Sequence, residues 1–142
     1  AWGRPLSADP GLRIPNMLDA AIEGKFKALY CIGEDIAQSD PNTQHVTHAL
    51  ESMECVIVQD LFLNETAKFA HVFFPGASFL EKSGTFTNAE RRVSPVRRVM
   101  TPKNGFDDWE ITAKLSSALG YPMHYSHASD ILDEIAKLLE GN

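Results

Sequence analysis

The stretch ALYCIGEDIAQSDP, residues 28–41, sets an apolar run against a glycine and two acids. Gly33 stops the run, and Glu34 and Asp35 follow at once. Adjacent carboxylates can exchange protons with a substrate, bind a metal ion, or accept hydrogen bonds from a ligand. A solvated turn is the plain structural alternative. Gln59 closes a second apolar run with an amide, which donates and accepts at the same point and so suits the edge of a nucleobase or a pterin; a satisfied strand-end polar group would need the same residue. Asp108, just before Trp109, stands where capping a helix is a sufficient role by itself.

Other reactive residue types form weaker patterns. Of the five histidines, His45 with His48 and His124 with His127 are spaced three apart, as two ligands on one helix face would be. Neither pair has a third ligand at recognisable metal spacing. Cys31 and Cys55 lie inside apolar runs and form no CxxC pair. No Ser/His/Asp set marks a nucleophile. Arg91, Arg92, Arg97 and Arg98 could grip a phosphate or a carboxylate, or line a solvated or subunit-facing edge. The glycine-rich fingerprint of dinucleotide folds and the lysine loop of nucleotide triphosphatases are both missing.

The whole chain bounds these options. It has 142 residues, 44% hydrophobic and 23% charged, with a net charge of −6. That is an ordinary globular composition with enough length for a real core. The acidic balance argues against nucleic acid as the main partner. No apolar run is long enough to insert in a membrane, and no signal peptide opens the sequence. Together with two unpaired cysteines this leads us to expect a cytoplasmic, reducing compartment. Residues 1–13 read as linker, residues 14–142 as one α/β domain, and both ends as boundaries within a longer protein.

The elements that must position these groups follow from the pattern. Asn16 is expected to cap a helix through Ile22, with Gly24 as its stop. Lys25 to Ile32 reads as a strand. Asp40 or Asn42 can cap a helix through Ser52, with Val46, Ala49, Leu50 and Met53 inward. Cys55 to Val58 suits a strand buried on both faces. Asn64 can cap a helix from Glu65 to Ala70, and His71 to Phe74 is the third strand. Strand, helix, strand, helix, strand with short links predicts a doubly wound, mainly parallel, Rossmann-like α/β sheet. Its ligands bind beyond the carboxyl ends of the strands. Those ends carry Gly33-Glu34-Asp35, Gln59-Asp60 and Pro75-Gly76-Ala77-Ser78. Beyond Ser78 an extended or hairpin excursion turns at Asn88-Ala89. Asp107 or Asp108 then caps a helix through Leu119, and Ser129 a last amphipathic one.

Three stretches together resemble one family: GKFKALYCIGEDIAQSDP, VIVQDLFLNETAKFAHVFFPGASFLEKSGTFTNAERRV and DDWEITAKLSSALGYP. They are similar to the molybdopterin oxidoreductases, most of all to the catalytic α subunits of molybdenum-dependent formate dehydrogenases. The resemblance runs from about residue 10 to about residue 138, and EKSGTFTNAERRV is its most specific part. It implies a Rossmann-like domain that holds one of two molybdopterin guanine dinucleotides around molybdenum. The positions that would touch that dinucleotide are Gly33, Glu34, Asp35, Ser39, Gln59, Gly76 and Asp108. Ser39 stands where a small hydroxyl residue is usual. Gly76 stands where some members carry a hydroxyl, so only its backbone could serve. His71 stands where aspartate is usual.

The resemblance also implies absences. The family's Cys or selenocysteine ligand to molybdenum, its catalytic His and Arg, and its N-terminal iron–sulfur cysteines belong to regions without a counterpart in these residues. The isolated chain is therefore expected not to oxidise formate. The full enzyme would carry the bis-dinucleotide molybdenum centre and an iron–sulfur cluster. Its partners would be the remaining domains of the catalytic subunit and electron-transfer subunits. A non-catalytic scaffold, like the related domain in the large iron–sulfur subunit of NADH dehydrogenase, is the competing reading.

Overall fold

A computed structural model describes residues 7–139. Of the expected linker, residues 1–6 lie outside the described residues, and residues 7–13 carry no helix or strand. The chain divides into two compact units, one up to Pro75 and one from Gly76 onward.

The first unit is built on three parallel strands: β1 (Ala28–Ile32), β2 (Cys55–Asp60) and β3 (Val72–Pro75), in the order β1-β2-β3. Ala28 pairs with Cys55 and Ile32 with Gln59, while Ile57 pairs with Val72 and Asp60 with Pro75. All three carboxyl ends therefore point the same way, as the α/β reading expects. Three helices accompany them: α1 (Ile14–Ile22), α2 (Ile36–Ser39) and α3 (Thr43–Glu51), with a 3-10 turn at Thr66–Phe69.

Alternation along the strands sorts the residues by face. Cys31, Val56 and Val58 turn to the core, where they join Leu18 and Ala21 of α1, Ala37 of α2, and Val46, Ala49 and Leu50 of α3. The opposite face holds Ile57, half-buried, and Ile32, which is 50% exposed. The central strand is thus closed on one face and partly open on the other, where burial on both had been expected.

Local chemistry sets the helix ends. Asn42 caps α3, its side-chain oxygen accepting from His45 N. Asn16 is not a cap: Pro15 fits the first turn of α1, where a missing N–H costs nothing, so the helix begins at Ile14. β1 starts three residues later than expected because Phe26 N bonds back to Ala20 O instead of joining a ladder. The expected helix at 65–70 shortens to the 3-10 turn, with Asn64 Oδ1 accepting from Ala67 N.

His71 has a structural task that the sequence did not reveal. Its Nδ1 accepts the Val56 N–H at 3.0 Å, and its own N–H donates to Val56 O. An aspartate at this position would offer the same acceptor. His71→Ala should therefore lower stability by about 1 kcal/mol, and His71→Asp should restore most of it. Urea midpoints of the three proteins check this.

The second unit holds an antiparallel hairpin, β4 (Gly84–Thr87) with β5 (Val93–Val96), and two helices, α4 (Asp108–Ala118) and α5 (Ala128–Leu139). Asn88 N donates to Arg92 O, Asn88 Oδ1 accepts from Arg92 N, and Arg91 sits at φ 62 to complete the turn. α4 is capped by Asp107, through a capping box with Glu110, so Asp108 is the first helical residue. Ser129 does not cap α5 but lies inside its first turn; Asp130 takes the Ser126 and His127 N–H groups instead. Those two bonds hold the Asp130 carboxyl below its ordinary range.

Candidate functional site

In the first unit Gly33, Glu34, Asp35 and Ser39 follow the carboxyl end of β1, and Gln59 lies in β2 one residue before its end. Gly33 N donates to Gln59 O at 2.9 Å, which joins the two strand ends. Gly33 sits at φ +62, a conformation that costs an L residue about 1–2 kcal/mol. A Cβ there would meet nothing within 4 Å, so the backbone faces open space at this point.

The two acids do different work. Glu34 is exposed, and Ser39 Oγ donates to its Oε1 at 2.7 Å. That bond settles the carboxylate while leaving most of its acceptor capacity outward. Asp35 is tied inward. Its Oδ1 accepts from Thr66 N at 2.9 Å and Thr66 Oγ1 at 2.7 Å, and its Oδ2 accepts from Glu65 N at 3.3 Å. Its main-chain oxygen takes Gln38 N and Ser39 N at the start of α2. Partial burial alone would raise the Asp35 pKa. The hydrogen bonds from the Thr66 hydroxyl and from the Thr66, Glu65 and Gln38 amides outweigh that and hold it below its ordinary value. A depressed pKa in a carboxylate means a fixed anion at neutral pH, which suits a ligand acceptor or an anchor rather than a proton donor.

Gln59 is 1% exposed. The Tyr30 hydroxyl donates to its Oε1, which fixes the orientation of the amide. Neither Tyr30 nor Thr66 stood out in the sequence. Thr66 carried no signal beyond a hydroxyl shortly after a strand, and Tyr30 was hidden within an apolar run. Cys31 is not a reactive thiol. Burial pushes its pKa up, and the carboxylates of Glu34, Asp60 and Asp35 push it further.

Asp108 and Gly76 belong to the second unit. Gly76 follows β3 directly. The Asp108 carboxylate accepts from Ala77 N at 3.1 Å and pairs with Lys82 Nζ. Glu81, buried in the same unit, accepts from Ser78 N at 2.8 Å and from Lys103 N at 3.1 Å, and these bonds depress its pKa. Arg98 Nη2 meets Asp107 Oδ1 at 2.5 Å. Glu81, Lys82 and Arg98, within or beside the specific EKSGTFTNAERRV stretch, thus hold the loops around α4. Among the described residues no group of three His, Cys, Asp or Glu is placed to bind a metal ion. His45 instead links α3 to α1 through Asp19 Oδ1 at 3.0 Å. Among the same residues no helix is long and apolar enough to cross a membrane.

A parallel three-stranded sheet, with an open glycine and a fixed carboxylate just beyond the end of β1, defines the class: a Rossmann-like α/β unit. The sequence profile of the molybdopterin oxidoreductases matches residues 5–118. The chain belongs to the molybdopterin oxidoreductase family, which implies a molybdenum–pterin cofactor. It is 45% identical over 141 residues to the F420-dependent formate dehydrogenase subunit alpha of Methanocaldococcus jannaschii, covering 96% of this chain and 21% of that protein. It is 39% identical over 140 residues to formate dehydrogenase H of Escherichia coli, covering 97% of this chain and 20% of that protein. The chain therefore spans about a fifth of the length of these relatives. Among solved structures, acetylene hydratase from Pelobacter acetylenicus matches the fold with a TM-score of 0.67, at 22% identity over 74% of this chain and 15% of that one.

Proposed function

We propose that this chain is the guanine-dinucleotide-holding domain of the catalytic subunit of a molybdenum-dependent formate dehydrogenase. The observation that carries the reading is the loop beyond β1. There Gly33 leaves open space, and the exposed Glu34 carboxylate is held by Ser39. Guanine offers adjacent N–H donors on one edge, and a carboxylate accepts both. Adenine presents a different edge there, so the loop favours guanine. Glu34 is the proposed base acceptor, Gly33 admits the ligand, and Asp35, Ser39 and Gln59 shape and complete the site. Gly76 and Asp108 are carried as contacts of the same cofactor on the resemblance, without further geometry.

The formate reading draws its support from the relatives, whose names specify that substrate. When bound, the molybdenum group would supply the acceptor for two electrons as formate also gives up its proton and becomes carbon dioxide. The remaining domains of the subunit, an iron–sulfur cluster and electron-transfer subunits would complete the enzyme, in the cytoplasm. The test is anaerobic expression of the complete polypeptide that carries these residues, followed by metal analysis and formate-dependent reduction of a viologen dye. Molybdenum with bound guanine nucleotide and dye reduction is the expected result. A polypeptide that folds and assembles without molybdenum would identify the scaffold type instead.

A further inference from the structure

We propose that Thr66 is a positioning residue for the nucleotide site: its buried hydroxyl, through Asp35, fixes the loop that presents Gly33 and Glu34. This inference rests on the nucleotide reading above. Thr66 is 0% exposed, so it cannot touch a ligand itself. Its Oγ1 donates to Asp35 Oδ1 at 2.7 Å and accepts from Ala37 N at 3.0 Å. Its own N–H goes to the same Asp35 oxygen at 2.9 Å. One hydroxyl thus bridges three pieces of chain: the 3-10 turn after β2, the end of the Gly33–Asp35 loop, and the first turn of α2. Both partners lie in the interior side of the loop, and the loop's outer side carries Gly33 and Glu34.

The physical argument is one of degrees of freedom. A loop of three residues after a strand has several backbone states. The Asp35 carboxylate selects one of them only if its own acceptors are directed, and a threonine hydroxyl is a directed donor because its β-branched side chain is stiff at χ1. α2 then starts in a fixed place, since Ala37 N–H is locked to the same oxygen. Ser39 lies at the end of that single turn, and its hydroxyl reaches back to Glu34. The chain of contacts therefore runs from Thr66 to Asp35 and Ala37, then to Ser39, then to Glu34. Two independent routes, one through the loop and one through α2, converge on the exposed carboxylate.

The test compares GDP binding by this 142-residue chain with its Thr66→Val and Thr66→Ser variants, by calorimetry. Valine keeps shape and burial but removes the hydroxyl; serine keeps the hydroxyl. Thr66→Val should bind GDP about tenfold more weakly, the equivalent of one lost directed hydrogen bond, and Thr66→Ser should bind as the unsubstituted chain does. The Asp35 carboxyl, followed by NMR, should titrate at higher pH in Thr66→Val, a change that loss of packing alone would not produce. If valine prevents folding, Thr66→Ala removes the same hydroxyl with more room and must show the same two effects. Equal GDP affinity and an unmoved Asp35 titration in a folded Thr66→Val or Thr66→Ala protein overturns the inference and leaves the nucleotide site standing. No GDP binding by the unsubstituted chain overturns both.

Discussion

Asp35→Ala should unfold the first unit about 15 °C below the unsubstituted chain. The carboxylate accepts three hydrogen bonds, two of them from the fully buried Thr66. Removing it leaves those donors without a partner, and a buried unsatisfied donor costs about 1–3 kcal/mol. Allowing for the partial exposure of Asp35 itself, the sum is about 3 kcal/mol. The pH dependence has a definite sign. The folded state holds this carboxyl below its ordinary value of 3.8, because the hydrogen bonds outweigh the opposing effect of burial. Asp35 therefore contributes its full stability above the unfolded pKa and loses it as pH falls through the folded one. Thermal midpoints of the unsubstituted and Asp35→Asn proteins should differ at pH 7 and converge as the pH drops through about 4 toward 2. A gap that stayed constant down to pH 2 would show that the charge plays no part.

Leu50→Ala should destabilise by about 3 kcal/mol, measured as a shift in urea midpoint with an unchanged slope. Leu50 is 1% exposed and is among the largest fully buried side chains in the structure. It sits on α3 among Leu18, Val46, Val56 and Val58, so its removal opens a cavity that the sheet and helices cannot easily close. The site should survive in the folded fraction, because none of the hydrogen bonds that hold Glu34 and Asp35 involves Leu50. A loss of nucleotide affinity matching that of Asp35→Ala would mean the core, not the loop, sets the binding geometry.

The sheet was legible because its signals are local. Cys55 to Val58 is a short β-branched run, Asn42 is a strong cap, and Asn88 marks the hairpin turn. The carboxyl ends then followed from parallel order, and with them Gly33, Glu34 and Gln59. What was not legible depends on partners distant in sequence. Asp35 and Thr66 lie 31 residues apart, and Tyr30 and Gln59 lie 29 apart. A threonine in NETAK has no pattern that marks it as buried. His71 could be read as a departure from the family's aspartate, but its worth as an acceptor for Val56 N–H appears only once β2 and β3 are paired. The single-turn α2 is too short to leave a periodic signal. It was missed for that reason, although it carries Ser39. The partial exposure of the second face of β2 was missed because a continuous apolar run does not reveal how much of each face a given chain covers.

The same distinction explains why two adjacent acids, equivalent in sequence, separate in the fold. Glu34 follows a glycine in a left-handed conformation and points outward. Asp35 precedes the first turn of α2 and is drawn inward by three donors. Asp35, held below its ordinary value, suits an anchor rather than a proton donor.

The most direct test of the account is an amide-shift titration of this chain with GDP, with ADP in parallel. The account predicts shifts grouped at Gly33, Glu34, Asp35, Ser39 and Gln59, at lower concentrations of GDP than of ADP. No shifts at millimolar GDP, or shifts scattered away from the ends of β1 and β2, would contradict it.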